Sequence, residues 1–315
     1  MERIGPFRLA PWFSERIWGR RDLRPWYRST GTAELVGEAW LTGPQCVVDT
    51  GARAGRTLAS VAAEAGEDLL GFGWSGKDGG AEFPLLVKML FPNDKLSVQV
   101  HPDDAQAQAM GQARGKTECW YVLEAEPGAA VALGLREGAT AESVSAAVAN
   151  GTMEGLMEWL PVAVGDMVFV DAGTVHAIGP GVVLLETQQT CDVTFRLYDY
   201  GRPRELHLEQ GLAAMKTRTA AGKVRPVAMD GFTRLIEQQY FVVDRFDLAA
   251  AGEVAIPTLG AGCLVGLAGT ALVIGGPEGQ VELLPGQAVV VPADVGVTVE
   301  SAAGVSFVRC FAPVA

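Results

Sequence analysis

The sequence predicts a mainly β protein built from two related β-barrels with a few short helices. Three observations carry this expectation. Thirty-nine glycines and 17 prolines are spread over the 315 residues, cutting the chain into short segments, the punctuation of sandwiches and barrels. The segments between them are apolar runs of strand length. A strand–turn–strand unit also occurs twice: Gly165-Asp166 leads to Asp171-Ala172-Gly173-Thr174-Val175-His176, and Gly286-Gln287 leads to Pro292-Ala293-Asp294-Val295-Gly296-Val297.

In chain order, the apolar runs Phe83–Leu90, Leu96–Val100, Met167–Val170 and Val182–Leu185 read as strands of a first barrel. Ala271–Ile274, Val281–Leu284, Ala288–Val291 and Ser306–Arg309 repeat the style in a second. Helical character is scarcer. Leu58–Ala65 is Ala-rich behind Thr57, and Ala141–Leu160 reads as one or two short helices broken near Asn150-Gly151. Leu208–Met215 is a short helix before the polar stretch Lys216–Lys223, the expected linker. The expected organisation is therefore residues 1–215, an N-terminal segment plus a barrel with a helical insertion near 140–160, then 224–315, a second barrel of roughly 90 residues.

Composition narrows the function. A formal charge of −12 with only 25 Lys and Arg argues against broad nucleic-acid or anionic-membrane surfaces. It leaves room for an anionic small molecule held by a local cluster of cations. Hydrophobic residues make up 49% of the chain, yet no run of about 18 lacks charges or breakers, and the opening Met1-Glu2-Arg3-Ile4-Gly5-Pro6 contains no apolar core. The five cysteines are dispersed without a CxxC pair, as expected for reduced buried thiols in a cytoplasmic protein.

The chemistry concentrates in a few polar positions on strand-like segments. In Val98-Gln99-Val100-His101-Pro102, period-2 alternation puts Gln99 and His101 on one face. In Gly115-Lys116-Thr117-Glu118, the same alternation pairs Lys116 with Glu118. His176 ends the first strand–turn–strand unit, where the second copy carries Val297, so only the first barrel is expected to hold a metal at that point. Two imidazoles, a carboxylate and an amide carbonyl form a mixed N/O set suited to Zn²⁺ or another divalent first-row ion. The third histidine, His207, stands just before a helix and reads as structural. Arg196 shares a strand face with Thr194 and Tyr198, and either faces an anion or pairs with Asp192 or Asp199. Glu186 closes an apolar strand and reads as a general base or as an ordinary strand-end charge.

Taken together, Ile17-Trp18-Gly19, Phe83-Pro84-Leu85-Leu86-Val87-Lys88, Leu96-Ser97-Val98-Gln99-Val100-His101-Pro102-Asp103-Asp104, Gly115-Lys116-Thr117-Glu118, Gly173-Thr174-Val175-His176, Glu186-Thr187-Gln188-Gln189 and Arg196-Leu197-Tyr198-Asp199-Tyr200 resemble type I phosphomannose isomerases in their shorter bacterial form. The resemblance is dense over residues 80–210 and weak toward the C-terminus. It implies two cupin-like (jelly-roll) barrels and one zinc ion per chain on His101, Glu118 and His176, with Gln99 as a candidate fourth ligand. It also implies Arg196, Glu186 and Lys116 as catalytic residues, with Arg196, Lys116 and Ser97 against the substrate. The implied substrate is a sugar phosphate, in a monomer or small homo-oligomer. Asp171 replaces the proline usual in the turn before the metal histidine, and Arg20 replaces a second glycine after Gly19.

The implied reaction interconverts mannose 6-phosphate and fructose 6-phosphate by moving a proton between C1 and C2. Metal-assisted polarisation of the carbonyl, Glu186 as proton carrier and the cations Arg196 and Lys116 suit that chemistry. Competing readings are another metal-dependent cupin enzyme such as an oxygenase, a sugar-binding cupin without catalysis, and a storage-type protein. The last two leave Lys116, Glu186 and Arg196 without work.

Overall fold

The computed structural model describes residues 4–71, 81–257, 260–276 and 279–313; Met1–Arg3 of the opening segment lie outside them. The strands form four open antiparallel sheets of seven, five, eight and four strands. The seven-stranded sheet runs Gly222–Val224, Met167–Val170, Glu118–Ala125, Val182–Gln189, Leu85–Leu90, Val36–Trp40 and Trp12–Arg20. The five-stranded sheet runs Phe195–Tyr198, Val98–Val100, His176–Ile178, Ala130–Leu135 and Met157–Pro161. Strands Val242–Leu248, Val305–Phe311, Gly262–Gly269 and Ala288–Val291 are consecutive in the eight-stranded sheet. The four-stranded sheet contains Val297–Ser301.

Side-chain alternation shows how the sheets stack. On Glu118–Ala125, Cys119 and Tyr121 join the core shared with the eight-stranded sheet. Trp120 and Val122 point the other way, into the core shared with the five-stranded sheet. On Val305–Phe311, Val308 and Cys310 face the seven-stranded sheet and Phe307 faces the four-stranded one. The two large sheets are thus buried on both faces, which is why their strands read as continuous apolar runs. Helices Ala141–Asn150 and Leu208–Ala214 cover the outer face of the five-stranded sheet.

Both copies of the repeated unit do the same job. Gly165 (φ 91°) and Gly286 (φ 73°) adopt left-handed backbone before the first strand. The following turn then carries the chain from a large sheet to the small sheet facing it: Met167–Val170 to His176–Ile178, and Ala288–Val291 to Val297–Ser301. Asp171, in the place of the usual proline, accepts from Thr174 Oγ1 (2.8 Å) and from the Ala220 amide (3.1 Å), fixing that turn by hydrogen bonds. Arg20 donates to Val182 O (2.8 Å) and Pro92 O (3.1 Å), tying two strand ends together.

Three local expectations change. Ala141–Leu160 holds a helix to Asn150, the expected break at Gly151 (φ 71°) and a short 3₁₀ helix over Met153–Leu156, but its end is not helical. Met157–Pro161 is instead a strand, because Ala130–Leu135 offers it a free sheet edge. The expected linker contributes Gly222–Val224 to the edge of the seven-stranded sheet. At the other end, Phe7–Ala10 pairs with Ala288–Val291 in the eight-stranded sheet, inserting fully buried Phe7 and Leu9 into the core between the large sheets. Each half of the chain therefore lends a strand to the sheet of the other.

Candidate active site

Register places the polar groups. On the face of the seven-stranded sheet turned toward the five-stranded sheet, Lys88, Glu186 and Trp120 are cross-strand neighbours, and Gln188 sits opposite Glu118 one step along. Across the gap, Gln99 is opposite both His176 and Arg196. The alternation that groups Gln99 with His101, and Lys116 with Glu118, therefore directs all four into the same space.

His101, Glu118 and His176 converge there, with their potential ligand atoms all within 4.8 Å of one another. His101 Nε2 is 3.6 Å from Glu118 Oε2, and His176 Nε2 is 3.4 Å from Glu118 Oε1. The other ring nitrogens face backbone carbonyls: His101 Nδ1 is 2.9 Å from Val193 O, and His176 Nδ1 is 2.9 Å from Thr174 O. A carbonyl only accepts, so both Nδ1 atoms carry the proton and both Nε2 lone pairs aim at Glu118. Burial holds both imidazoles neutral, His176 down to about 4 and His101 well below its ordinary value, with Lys116 adding to the depression. His101 Nε2 and Glu118 Oε1 are sealed from solvent without a hydrogen-bond partner among the described residues. Two neutral imidazoles around a buried carboxylate with orphaned donor atoms fit a divalent cation. Gln99 reaches the edge of this cluster: its amide Nε2 is 3.2 Å from His176 Nε2 and its Oε1 accepts from Ser97 Oγ at 3.3 Å. Ligation through Oε1 requires that amide to be turned end for end.

Lys116 is buried with its Nζ 3.2 Å from Glu118 Oε2. Burial opposes its charge, but Glu118, Glu186 and Asp192 outweigh burial and raise its pKa. The Glu186 pKa is raised too, which here favours its neutral form. Burial and the nearby Glu118 charge push its carboxyl up to about 7, against the pull of Lys116 and Lys88. Trp120 Nε1 donates to Glu186 Oε2 (3.2 Å), and Lys88 Nζ stands 3.7 Å from Glu186 Oε1 while bonding Asp192 at 2.7 Å. Lys88, Trp120 and Asp192 are site residues that the sequence reading does not single out. A lysine inside the apolar run Phe83–Leu90 is the available signal, since a fully buried lysine needs a partner.

Glu186, Lys116, Gln99 and Arg196 line a cleft of about 450 Å³, together with Arg16 and Arg204. Arg16 is paired with Glu38 (3.0 Å) and Arg204 with Asp199 (2.6 Å). The Arg196 guanidinium bonds the Glu205 carbonyl (2.7 Å), keeps its Nε buried and unpartnered, and is ion-paired with neither Asp192 nor Asp199 among the described residues. A second cleft of about 480 Å³ around Lys95, Glu154 and Trp159 holds none of these groups. His207 stands at the N-cap position of the helix Leu208–Ala214 without a side-chain capping bond, and its Nδ1 accepts from the Arg196 amide (3.2 Å), in the structural place expected of it.

Residues 7–139 match the catalytic domain of type I phosphomannose isomerase. A mannose-6-phosphate isomerase of Streptococcus mutans is 35% identical over 259 residues, spanning 78% of this chain and 80% of that one. The chain belongs to the type I phosphomannose isomerase family. The crystal structure of the mannose 6-phosphate isomerase from Bacillus subtilis aligns over 98% of this chain and 99% of that one, at 28% identity and a TM-score of 0.83. A zinc-bound mannose 6-phosphate isomerase aligns over 99% of this chain and 100% of its own, at 18% identity and a TM-score of 0.78, and shares the fold. Among the described residues, no helix is long and apolar enough to cross a membrane.

Proposed function

We propose that this member of the family interconverts mannose 6-phosphate and fructose 6-phosphate, using one zinc ion per chain held by His101, Glu118 and His176, with Gln99 at its edge. The observation that carries this reading is the convergence of two neutral imidazoles and a buried carboxylate with orphaned oxygens beside a cleft lined by Lys116, Glu186 and Arg196. A bound divalent ion would supply Lewis-acid polarisation of the substrate carbonyl and stabilise the negative charge that grows as the proton leaves carbon. Glu186 is the proton carrier: burial holds its pKa near the pH at which a base both takes and returns a proton, and Trp120 and Lys88 fix its two oxygens. Lys116 is placed to neutralise charge on the sugar oxygens, being buried beside Glu118. Arg196, which makes no ion pair among the described residues, faces the anionic substrate with Ser97, while Arg16 and Arg204 line the same cleft already paired with Glu38 and Asp199.

The same reading makes the two facing sheet pairs a pair of cupin-like barrels, 1–215 and 224–315 apart from the exchanged strands. Val297, buried where the first barrel has His176, supports a metal in the first barrel only. The five free cysteines suit a reducing cytoplasm, and the acidic surface suits a monomer or small homo-oligomer acting on a small molecule without nucleic acid or membrane. The test is formation of fructose 6-phosphate from mannose 6-phosphate in a coupled assay. We expect chelator to abolish turnover and Zn²⁺ to restore it in the absence of oxygen. Full activity in demonstrably metal-free protein, or no activity in zinc-loaded protein, would overturn the reading.

A further inference from the structure

The loop that carries Lys116 and Glu118 is pinned from a direction the reaction itself does not explain. Three consecutive amides donate into one bracket: Gly115 N to Asp104 Oδ1 (2.7 Å), Lys116 N to Pro102 O (3.0 Å) and Thr117 N to Gln189 Oε1 (2.9 Å). Asp104 Oδ1 also accepts from Gln189 Nε2 (2.9 Å), which joins the two side chains of the bracket. The approach is so close that a Cβ on Gly115 would lie 2.5 Å from the Asp103 carbonyl carbon. The other oxygen of Asp104 accepts from the Tyr240 hydroxyl at 2.8 Å. Tyr240 lies in the turn between Thr233–Glu237 and Val242–Leu248 of the eight-stranded sheet, which contributes nothing to the metal cluster.

We propose that Asp104, steadied by Tyr240, is a positioning residue that sets Glu118 and Lys116 at their working distance from His101. His101 lies three residues before Asp104, the first residue of the helix Asp104–Ala109, and Glu118 follows the segment that Asp104 grips, so one carboxylate spans the two ligands without touching either. Asp104 makes charge-assisted bonds to three groups at once, the kind that hold geometry best. The C-terminal half of the chain thereby reaches the site through Tyr240. This inference rests on the metal reading of the site.

The experiment compares wild type with Asp104→Ala, Asp104→Asn and Tyr240→Phe. Zn²⁺ affinity is measured by competition with a chromogenic chelator, kcat and KM at saturating Zn²⁺, and thermal unfolding on metal-free protein. Asp104→Ala is expected to bind Zn²⁺ about 10–100-fold more weakly, as loss of an outer hydrogen-bonding partner does. Tyr240→Phe should weaken binding roughly 3–10-fold, and Asp104→Asn, which keeps an oxygen for Gly115, should recover most of the loss. Lower kcat with little change in KM should accompany the weaker binding. Zn²⁺ affinity and kcat within about twofold of wild type in all three, even with lowered thermal stability, would show a brace for the fold alone and overturn the proposal. A wild type that fails to bind Zn²⁺ would instead sink the metal reading itself.

Discussion

Replacing Glu186 by Gln removes one titrating carboxyl from the wall of the cleft, and with it a pH-dependent share of the stability. In metal-free protein, burial and the Glu118 charge raise the Glu186 pKa from 4.5 to about 7. The native state therefore binds more protons than the unfolded chain between pH 4.5 and 7. Stability falls with rising pH wherever the native state holds the extra proton. The contribution of Glu186 is fully present below pH 4.5 and is lost as pH climbs through 7. The shift corresponds to a factor of about 300 in proton affinity, or about 3 kcal/mol. Lys88 keeps Asp192 at 2.7 Å in the variant, so no buried ammonium is stranded. Chemical denaturation at intervals from about pH 4 to 8.5 should give variant and wild type of similar stability at the acid end, and a variant more stable by up to about 3 kcal/mol above about pH 8. Turnover should move oppositely, falling about 10²–10⁴-fold in the variant as expected for a lost acid–base group. A stability difference flat across that range would refute the electrostatic reasoning, and unchanged turnover would remove Glu186 from the reaction. With a divalent cation beside Glu118 the repulsion on Glu186 is cancelled, so the acid limb of wild-type activity should lie between pH 4.5 and 7.

Two further perturbations separate the site from the scaffold. Arg196→Ala deletes a guanidinium held by the Glu205 carbonyl, so turnover should drop roughly 10²–10³-fold while unfolding free energy changes by under about 1 kcal/mol; wild-type kinetics in that variant would take Arg196 out of the mechanism. Phe7→Ala empties a fully buried position at the seam of the two large sheets and should destabilise the protein by about 3–5 kcal/mol by denaturant titration. A loss below about 0.5 kcal/mol would mean the exchanged strand Phe7–Ala10 is not integral to the fold.

Much of the site is legible because strand alternation is a local property. Period 2 groups Gln99 with His101 and Lys116 with Glu118, and the structure directs these side chains into one space. The repeated unit is legible for the same reason, as its glycines and small-residue turns mark the backbone geometry that moves the chain between facing sheets. Lys88 is hidden inside the run Phe83–Leu90, which reads as plain core, and Trp120 carries no signal beyond its place after Glu118. What gives them a polar role is the partner opposite, Glu186 in both cases, and that pairing joins residues about 70–100 positions apart. Met157–Pro161 reads as helix because nothing in that segment announces the vacant edge of Ala130–Leu135.

The sequence by itself determined the mainly β class, the strand faces and the family. Those rest on short-range rules of pleat, turn and residue chemistry, and on motifs that stand intact in the chain. The tertiary structure alone decided which sheet each strand joined, with Phe7–Ala10 crossing to the C-terminal sheet and Gly222–Val224 crossing back. It also decided that Arg196 makes no ion pair among the described residues while Arg16 and Arg204 do, and that Tyr240 reaches Asp104. These outcomes depend on distances between segments far apart in the chain, set by how buried faces stack, and no local pattern encodes them.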